Sequence, residues 1–250
     1  MDKNILDHEQ NLYHYTSFES AIKILVSQTL LFSKIETLND IHESAGPMIL
    51  TSSSEGLEEI ESILKHYLQI SLTCDTDKRK GYAIPSMWGH YAQKGHGVCL
   101  VFDKERIMSE VKKYGLYARP VTYMDQQNPN DYLYDRKMHG SPENFISTAK
   151  DVLFFVKSRD WEYEQEFRVI GINEGLDSLP IKDTLKAIIL YSRTKEDFMN
   201  SLEFKTFKKL VNSEIKILNY TTKFYNSQMS DTDENTSETM YYDLSFTSII

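Results

Sequence analysis

Lys157-Ser158-Arg159-Asp160-Trp161-Glu162-Tyr163-Glu164-Gln165-Glu166-Phe167-Arg168-Val169-Ile170 sets three glutamates at every second position, with aromatic and apolar residues between and after them. On an extended strand, side chains two apart share a face. Glu162, Glu164, Glu166 and Arg168 would then line one side, and Tyr163 and Phe167 the other. Three like charges on one face are costly unless a cation, a metal or a substrate answers them. Arg168, Arg159 and Lys157 are the cations at hand. The plain alternative is a solvent-facing strand with an ordinary salt bridge.

Upstream, Pro142 behind Ser141 marks a helix start, and that helix runs to about residue 156. Before it, residues 125–142 are polar and asparagine-rich, and read as a long mobile loop or lid. Residues 118–124 read as one strand, 104–114 as a helix, and 98–102 as a continuous apolar strand buried on both faces. Residues 87–92 form a short helix ended by Gly95 and Gly97. Residues 68–74 alternate cleanly as a strand, and a helix over 57–67 precedes them. Residues 34–47 are irregular. Near the start, 12–15 and 30–33 are short strands. They flank a helix over 18–28, capped by Thr16 or Ser17, with Phe18, Ala21, Ile22, Leu25 and Val26 as its core face. Downstream, 185–191 is a buried strand, 195–211 an amphipathic helix and 215–220 a last strand.

Strands and helices in irregular alternation predict an α+β domain over residues 1–225, with a mixed, mainly antiparallel sheet flanked by helices. Residues 226–250 read as an acidic, flexible tail. Its apolar end, 241–250, would dock back on the domain or bind a partner.

The 16 Tyr, 12 Phe and 2 Trp can supply a core for 250 residues. The net charge of −9 argues against nonspecific coating of nucleic acid. The basic cluster Lys78-Arg79-Lys80 reads as a solvated loop. Neither Cys74 nor Cys99 has metal-ligand spacing, and two cysteines make no disulfide framework. No apolar run reaches the roughly 18 to 20 residues that span a bilayer, and the first residues lack a signal-peptide core. A cytoplasmic protein without membrane partners is the expectation.

A set of motifs runs through Tyr13-His14-Tyr15, Leu31-Phe32-Ser33, Asn39-Asp40-x-x-Glu43, Met87-Trp88-x-His90-Tyr91-Ala92, Gly97 to Phe102, Val121-x-Tyr123, Lys157 and Trp161-x-Tyr163-Glu164-x-Glu166-x-Arg168. Taken together, over about residues 12–220, it resembles the bacterial domain-of-unknown-function family numbered 2971. That family usually has Asn-Asp-Pro-Phe-Glu where this chain has Asn39-Asp40-Ile41-His42-Glu43, which points to a differently built turn. The resemblance implies a shared fold and site, and a role in phage defence of the abortive-infection kind. It brings no established activity.

The order of the site elements is similar to that of ADP-ribosyltransferases. In that class a first-strand Arg or His, a second-strand Ser or Thr and a late Glu-x-Glu surround NAD. The likeness implies that Glu166 stabilises the cationic sugar as nicotinamide leaves and that Glu164 takes a proton from the acceptor. His14, Tyr15, Ser71, Thr73, Trp88, Tyr91 and Arg168 would hold NAD. Asn39, Asp40, Glu43 and His90 would complete the pocket. The acceptor would be a macromolecule, either nucleic acid or protein. No Gly-rich dinucleotide fingerprint occurs.

Two other readings stay open. His14, Asp40, His42, Glu43, His90, Glu164 and Glu166 could ligate a divalent ion in a nuclease or hydrolase. No pair has the spacing of a motif such as His-Glu-x-x-His, so no metal is assigned. The third reading is a noncatalytic sensor or inhibitor module whose acidic tail binds a partner. Apart from it, the plain alternatives are that Trp88 and His14 are core residues and that Asn39, Asp40 and Glu43 shape a turn.

Overall fold

In the computed structural model the described residues are 6, 10–35, 49–51, 54–125, 133–172, 175–191, 200–211 and 215–220. The alternating stretch near the start forms β1 (Asn11–Thr16), and Ser17 caps α1 (Phe18–Ser27) by accepting from the Ser20 N–H. The buried face of α1 is Phe18, Ala21, Ile24 and Leu25. Ile24 takes the place expected of Val26, which is exposed. The chain continues through β2 (Thr29–Leu31), β3 (Ser33–Lys34), β4 (Leu50–Thr51), α2 (Ser54–Leu64), β5 (Tyr67–Cys74), α3 (Pro85–His90), β6 (Val98–Asp103) and α4 (Lys104–Lys113).

Residues 118–124 were expected as one strand and are two, β7 (Tyr117–Pro120) and β8 (Thr122–Met124). Pro120 has no N–H to offer a ladder, and the Val121 N–H turns to the Glu166 carbonyl. The loop expected over 125–142 holds β9 (Leu133–Tyr134) and α5 (Arg136–His139), which Asp135 caps through the N–H groups of Lys137 and Met138. Residues 126–132 lie outside the described residues, and so does the tail, 226–250. Then come α6 (Pro142–Phe155), β10 (Val156–Ser158), β11 (Glu166–Ile172), β12 (Ser178–Pro180), β13 (Leu185–Tyr191), α7 (Leu202–Leu210) and β14 (Lys216–Tyr220).

The architecture is α+β with a mixed, mainly antiparallel sheet, as the element order predicted. Seven strands of the eight-stranded sheet run β14-β13-β6-β1-β5-β11-β7, and β3 joins at β5. Only β13 and β14 pair in parallel there. β6 is the apolar run read from the sequence, and Val98 to Phe102 are fully buried. Leu12, Leu72, Leu100, Phe102, Phe167 and Val169 pack on one face with α1, α4 and α7. Tyr13, Tyr15, Trp88, Val101, Ile189 and Tyr220 form an aromatic cluster on the other. Farther along the sheet, α2 and α6 cover Ile170 with Ile60, Phe145, Phe154 and Phe155.

Two details of the sheet place the site. β1 pairs with it only at Leu12↔Cys74 and Tyr13↔Thr73, and β3 takes over the same edge at Ser33↔Gln69 and Lys34↔Leu68. Residues 70–72 lie in the break between them. The second detail is Gly97, where the chain bearing Tyr91 meets β1. A Cβ there would stand 2.3 Å from the Thr16 carbonyl oxygen and 2.9 Å from Ala92 backbone atoms. Backbone cannot swing aside as a side chain can. Gly97→Ala should therefore cost about 1–3 kcal/mol, read as a lower urea midpoint. A midpoint equal to the parent's would count against this close approach.

Candidate functional site

The glutamate stretch does not run as one strand. Ser158 accepts from the Asp160 N–H, and residues Arg159–Glu164 wind into a 3-10 turn. Gln165 then takes a left-handed conformation at φ 47°, which costs a non-glycine residue roughly 1–2 kcal/mol. What holds it is reciprocal bonding to Cys74. The Cys74 N–H donates to the Gln165 carbonyl at 2.8 Å, and Gln165 Nε2 donates to the Cys74 carbonyl at 2.7 Å. Glu162 sits on the turn, exposed, and is not part of the pocket. Glu164 and Glu166 reach the same pocket, but across a turn and not along a pleat.

Phe167 and Val169 point into the core beneath α1, so Glu166 and Arg168 point to the opposite face, between the two other clusters. Arg168 grips Glu166 with two bonds, Nε to Oε1 at 2.7 Å and Nη2 to Oε2 at 2.8 Å. Its Nη1 donates to the Phe154 carbonyl at 2.7 Å. Lys157 Nζ donates to Glu164 Oε2 at 2.8 Å and to Glu166 Oε2 at 3.3 Å, and lies 4.7 Å from the Trp161 ring centre. The Tyr91 hydroxyl donates to Glu164 Oε1 at 2.6 Å. Gln69 Nε2 donates to Glu166 Oε1 at 3.2 Å and to Ser71 Oγ at 2.8 Å. The Glu166 N–H donates to the Tyr123 hydroxyl at 2.8 Å. Tyr123 stands opposite Lys157 in the β8–β10 pair.

All four charged side chains are at most 6% exposed. Two anions face two cations, so the network is neutral as a whole. That is the condition under which buried charge is tolerated. Burial alone would raise the Glu166 pKa. The charge and hydrogen bonds of Arg168, then Lys157 and the Ser71 hydroxyl, outweigh it and bring the group from 4.5 to about 2. Tyr123 is pushed up by burial. The Glu166 N–H works against that push, and the charges of Glu166 and Glu164 add to it. Burial holds His14 below its ordinary value against a hydrogen bond to the Ser71 backbone, so His14 is neutral near pH 7.

The Glu166 shift predicts an acid response. A carboxylate whose pKa is lowered on folding stabilises the fold above the unfolded value and loses that contribution as pH falls through the folded one. The window is about pH 4.5 down to about 2, and the contribution is on the order of 3 kcal/mol. Urea midpoints should fall across that window more steeply for the parent than for Glu166→Gln. Parallel curves for the two would remove Glu166 as the cause.

His14 and Ser71 face each other at the break in the β5 ladder, and Ser71 is exposed there, one Gln69 amide away from the Glu166 carboxylate. Tyr91 is half-buried, with the exposed His90 ring 6.3 Å from its own. Tyr163 lies 6.4 Å from His90 and 6.0 Å from Trp161. Tyr15, Thr73 and Trp88 are buried behind this surface. The Tyr15 hydroxyl donates to the Gly81 carbonyl, and Trp88 Nε1 to that of Tyr82. Asn39, Asp40, His42 and Glu43 lie outside the described residues. Lys157, Tyr123 and Gln69 belong to the network, yet sequence reasoning gave them no site role. Charge balance was the available signal, because two buried carboxylates require two cations.

Residues 87–169 match the family described as a protein of unknown function (DUF2971), the family that the motifs resemble. The matched segment carries Trp88, His90, Tyr91, Tyr123, Lys157, Glu164, Glu166 and Arg168. No curated protein matches the chain. Among solved structures, it is similar to a Thermus sp. 2.9 DarT in complex with ADP-ribosylated ssDNA. That likeness covers 83% of this chain and 93% of the other, at 14% identity and a TM-score of 0.36, too distant to argue from.

Proposed function

We propose that this protein is an ADP-ribosyltransferase-like enzyme that cleaves NAD at the break in the β5 ladder and passes ADP-ribose to a macromolecule. The observation that carries the reading is the convergence of three adjacent strands. His14 on β1 faces Ser71 on β5, and Gln69 of the same strand donates to both the Ser71 hydroxyl and Glu166 on β11. Loss of nicotinamide leaves a cationic sugar, and a fixed carboxylate beside it lowers that barrier. Glu166 suits this role because it stays ionised at any pH above about 2. Glu164 is the base, His14 and Ser71 address the ribose, and Tyr91 flanks the ring. Arg168 acts through Glu166. Tyr15, Thr73 and Trp88 support the pocket from behind.

A cytoplasmic location, a nucleic-acid or protein acceptor and a part in phage defence belong to the same proposal. The defence role rests on the motif resemblance, the acceptor on the order of the site elements, and the location on the lack of a long apolar run. Among the described residues no helix is long and apolar enough to cross a membrane.

One observation favours a second reading. A neutral, internally paired, buried network is also what a structural brace requires, and a noncatalytic binding module would use it so. The metal reading has less support. Among the described residues no group of three or more His, Cys, Asp or Glu could hold an ion, and Lys157 and Arg168 already occupy both glutamates. Calorimetric titration with NAD beside a nicotinamide-release assay separates the readings. Binding with release supports the transferase, and neither, with or without magnesium or manganese, overturns it.

A further inference from the structure

The two carboxylates meet the outside through different hydroxyls. Ser71, exposed, is joined to Glu166 through Gln69, which donates to both. Glu164 is 6% exposed, with Oε2 on Lys157 and Oε1 on the Tyr91 hydroxyl at 2.6 Å. An acceptor nucleophile therefore has no open path to Glu164 itself. Tyr91 is half-buried and is the C-cap residue of α3, at the edge of the surface formed with His90 and Tyr163. A phenol hydroxyl donates one hydrogen bond and still accepts another.

We propose that Tyr91 is a proton relay. Its hydroxyl takes the proton of the incoming nucleophile while passing its own to Glu164. This rests on the transferase reading. In the step, the nucleophile bonds to the anomeric carbon of the ribose. The carbon–nitrogen bond breaks, and its electron pair leaves with nicotinamide. The nucleophile's proton goes to Tyr91 Oη, and the Tyr91 proton goes to Glu164 Oε1. Glu164 ends protonated and returns that proton to solvent by the same hydroxyl. Tyr91 begins and ends neutral, so its high ordinary pKa is no obstacle. The groups facing Glu164 suit a proton that arrives and leaves. Lys157 on β10 donates to its other oxygen, Tyr123 on β8 and Tyr163 in the 3-10 turn stay protonated beside it, and Glu166 on β11 is paired with Arg168.

The test is Tyr91→Phe, which keeps the ring and removes the oxygen. The probe is NAD itself, with water as nucleophile and nicotinamide release as the rate. At pH 7 the variant should be about 100-fold slower, with NAD affinity by calorimetry within about twofold of the parent. Above pH 7 the variant's rate should climb about tenfold per pH unit as hydroxide replaces the relayed water, while the parent's profile is flatter. An active parent with a Tyr91→Phe variant of equal rate and equal pH profile overturns the relay alone. So does a slow variant whose profile runs parallel to the parent's, because that marks a packing role. A parent that releases no nicotinamide overturns the transferase reading, and the relay with it.

Discussion

Arg168→Met should lower the stability of the protein by about 3–5 kcal/mol. The substitution removes three hydrogen bonds made by a side chain that is 3% exposed. Glu166 keeps its charge and its burial, and of the two cations on it only Lys157 stays, at 3.3 Å, beside the neutral Gln69 amide. The Phe154 carbonyl loses its Nη1 partner as well, and an orphaned buried acceptor costs about 1–3 kcal/mol. Met fills much of the same volume, so the loss is electrostatic and not a cavity. Its cause can be isolated with a double change, Arg168→Met with Glu166→Leu, which removes both charges. That variant should be more stable than Arg168→Met alone, because an apolar pair in place of a buried ion pair is often neutral or better. Urea denaturation of the three proteins decides it. A loss below about 1 kcal/mol for Arg168→Met, the range of surface pairs, would show the network to be open to water.

The fold was legible where local pattern and tertiary burial agree. The apolar run of β6 read as a strand buried on both faces, and it is one. Thr16 or Ser17 read as one cap and Ser141 as another, and Ser17 and Ser141 act as caps. The misses share a cause, which is backbone conformation set by partners remote in sequence. Gln165 carries no mark of a left-handed residue, since Gly, Asn and Asp are the usual occupants. Its bonds to Cys74 and Arg79, far off in sequence, hold it there. The even spacing of Glu162, Glu164 and Glu166 therefore suggested one strand face where the structure has a turn followed by a strand. The meeting of Glu164, Glu166 and Arg168 was foreseen, but through a geometry that does not exist. Lys157 was visible as a nearby cation. That it bridges both glutamates depends on β10 pairing with β8, which the single-strand reading of residues 118–124 concealed.

Glu166→Gln should reduce nicotinamide release by about 10³-fold while NAD affinity changes far less. The amide has the shape of the carboxylate and no charge, so it cannot stabilise a cationic sugar. It also turns an NH₂ group toward Arg168 or Lys157, donor against donor, which weakens the fold. Lost activity is therefore evidence about chemistry only if lost stability is controlled. Gly97→Ala supplies the control, because it weakens the packing between β1 and the chain after α3 and leaves every network side chain in place. Both variants should be assayed at a temperature where circular dichroism shows each to be folded. Activity retained by Gly97→Ala and lost by Glu166→Gln would assign the loss to the charge. Equal, modest losses in both would reduce Glu166 to a brace for its strand. The Arg168 experiment would then describe the whole purpose of the network, in a protein that works by binding.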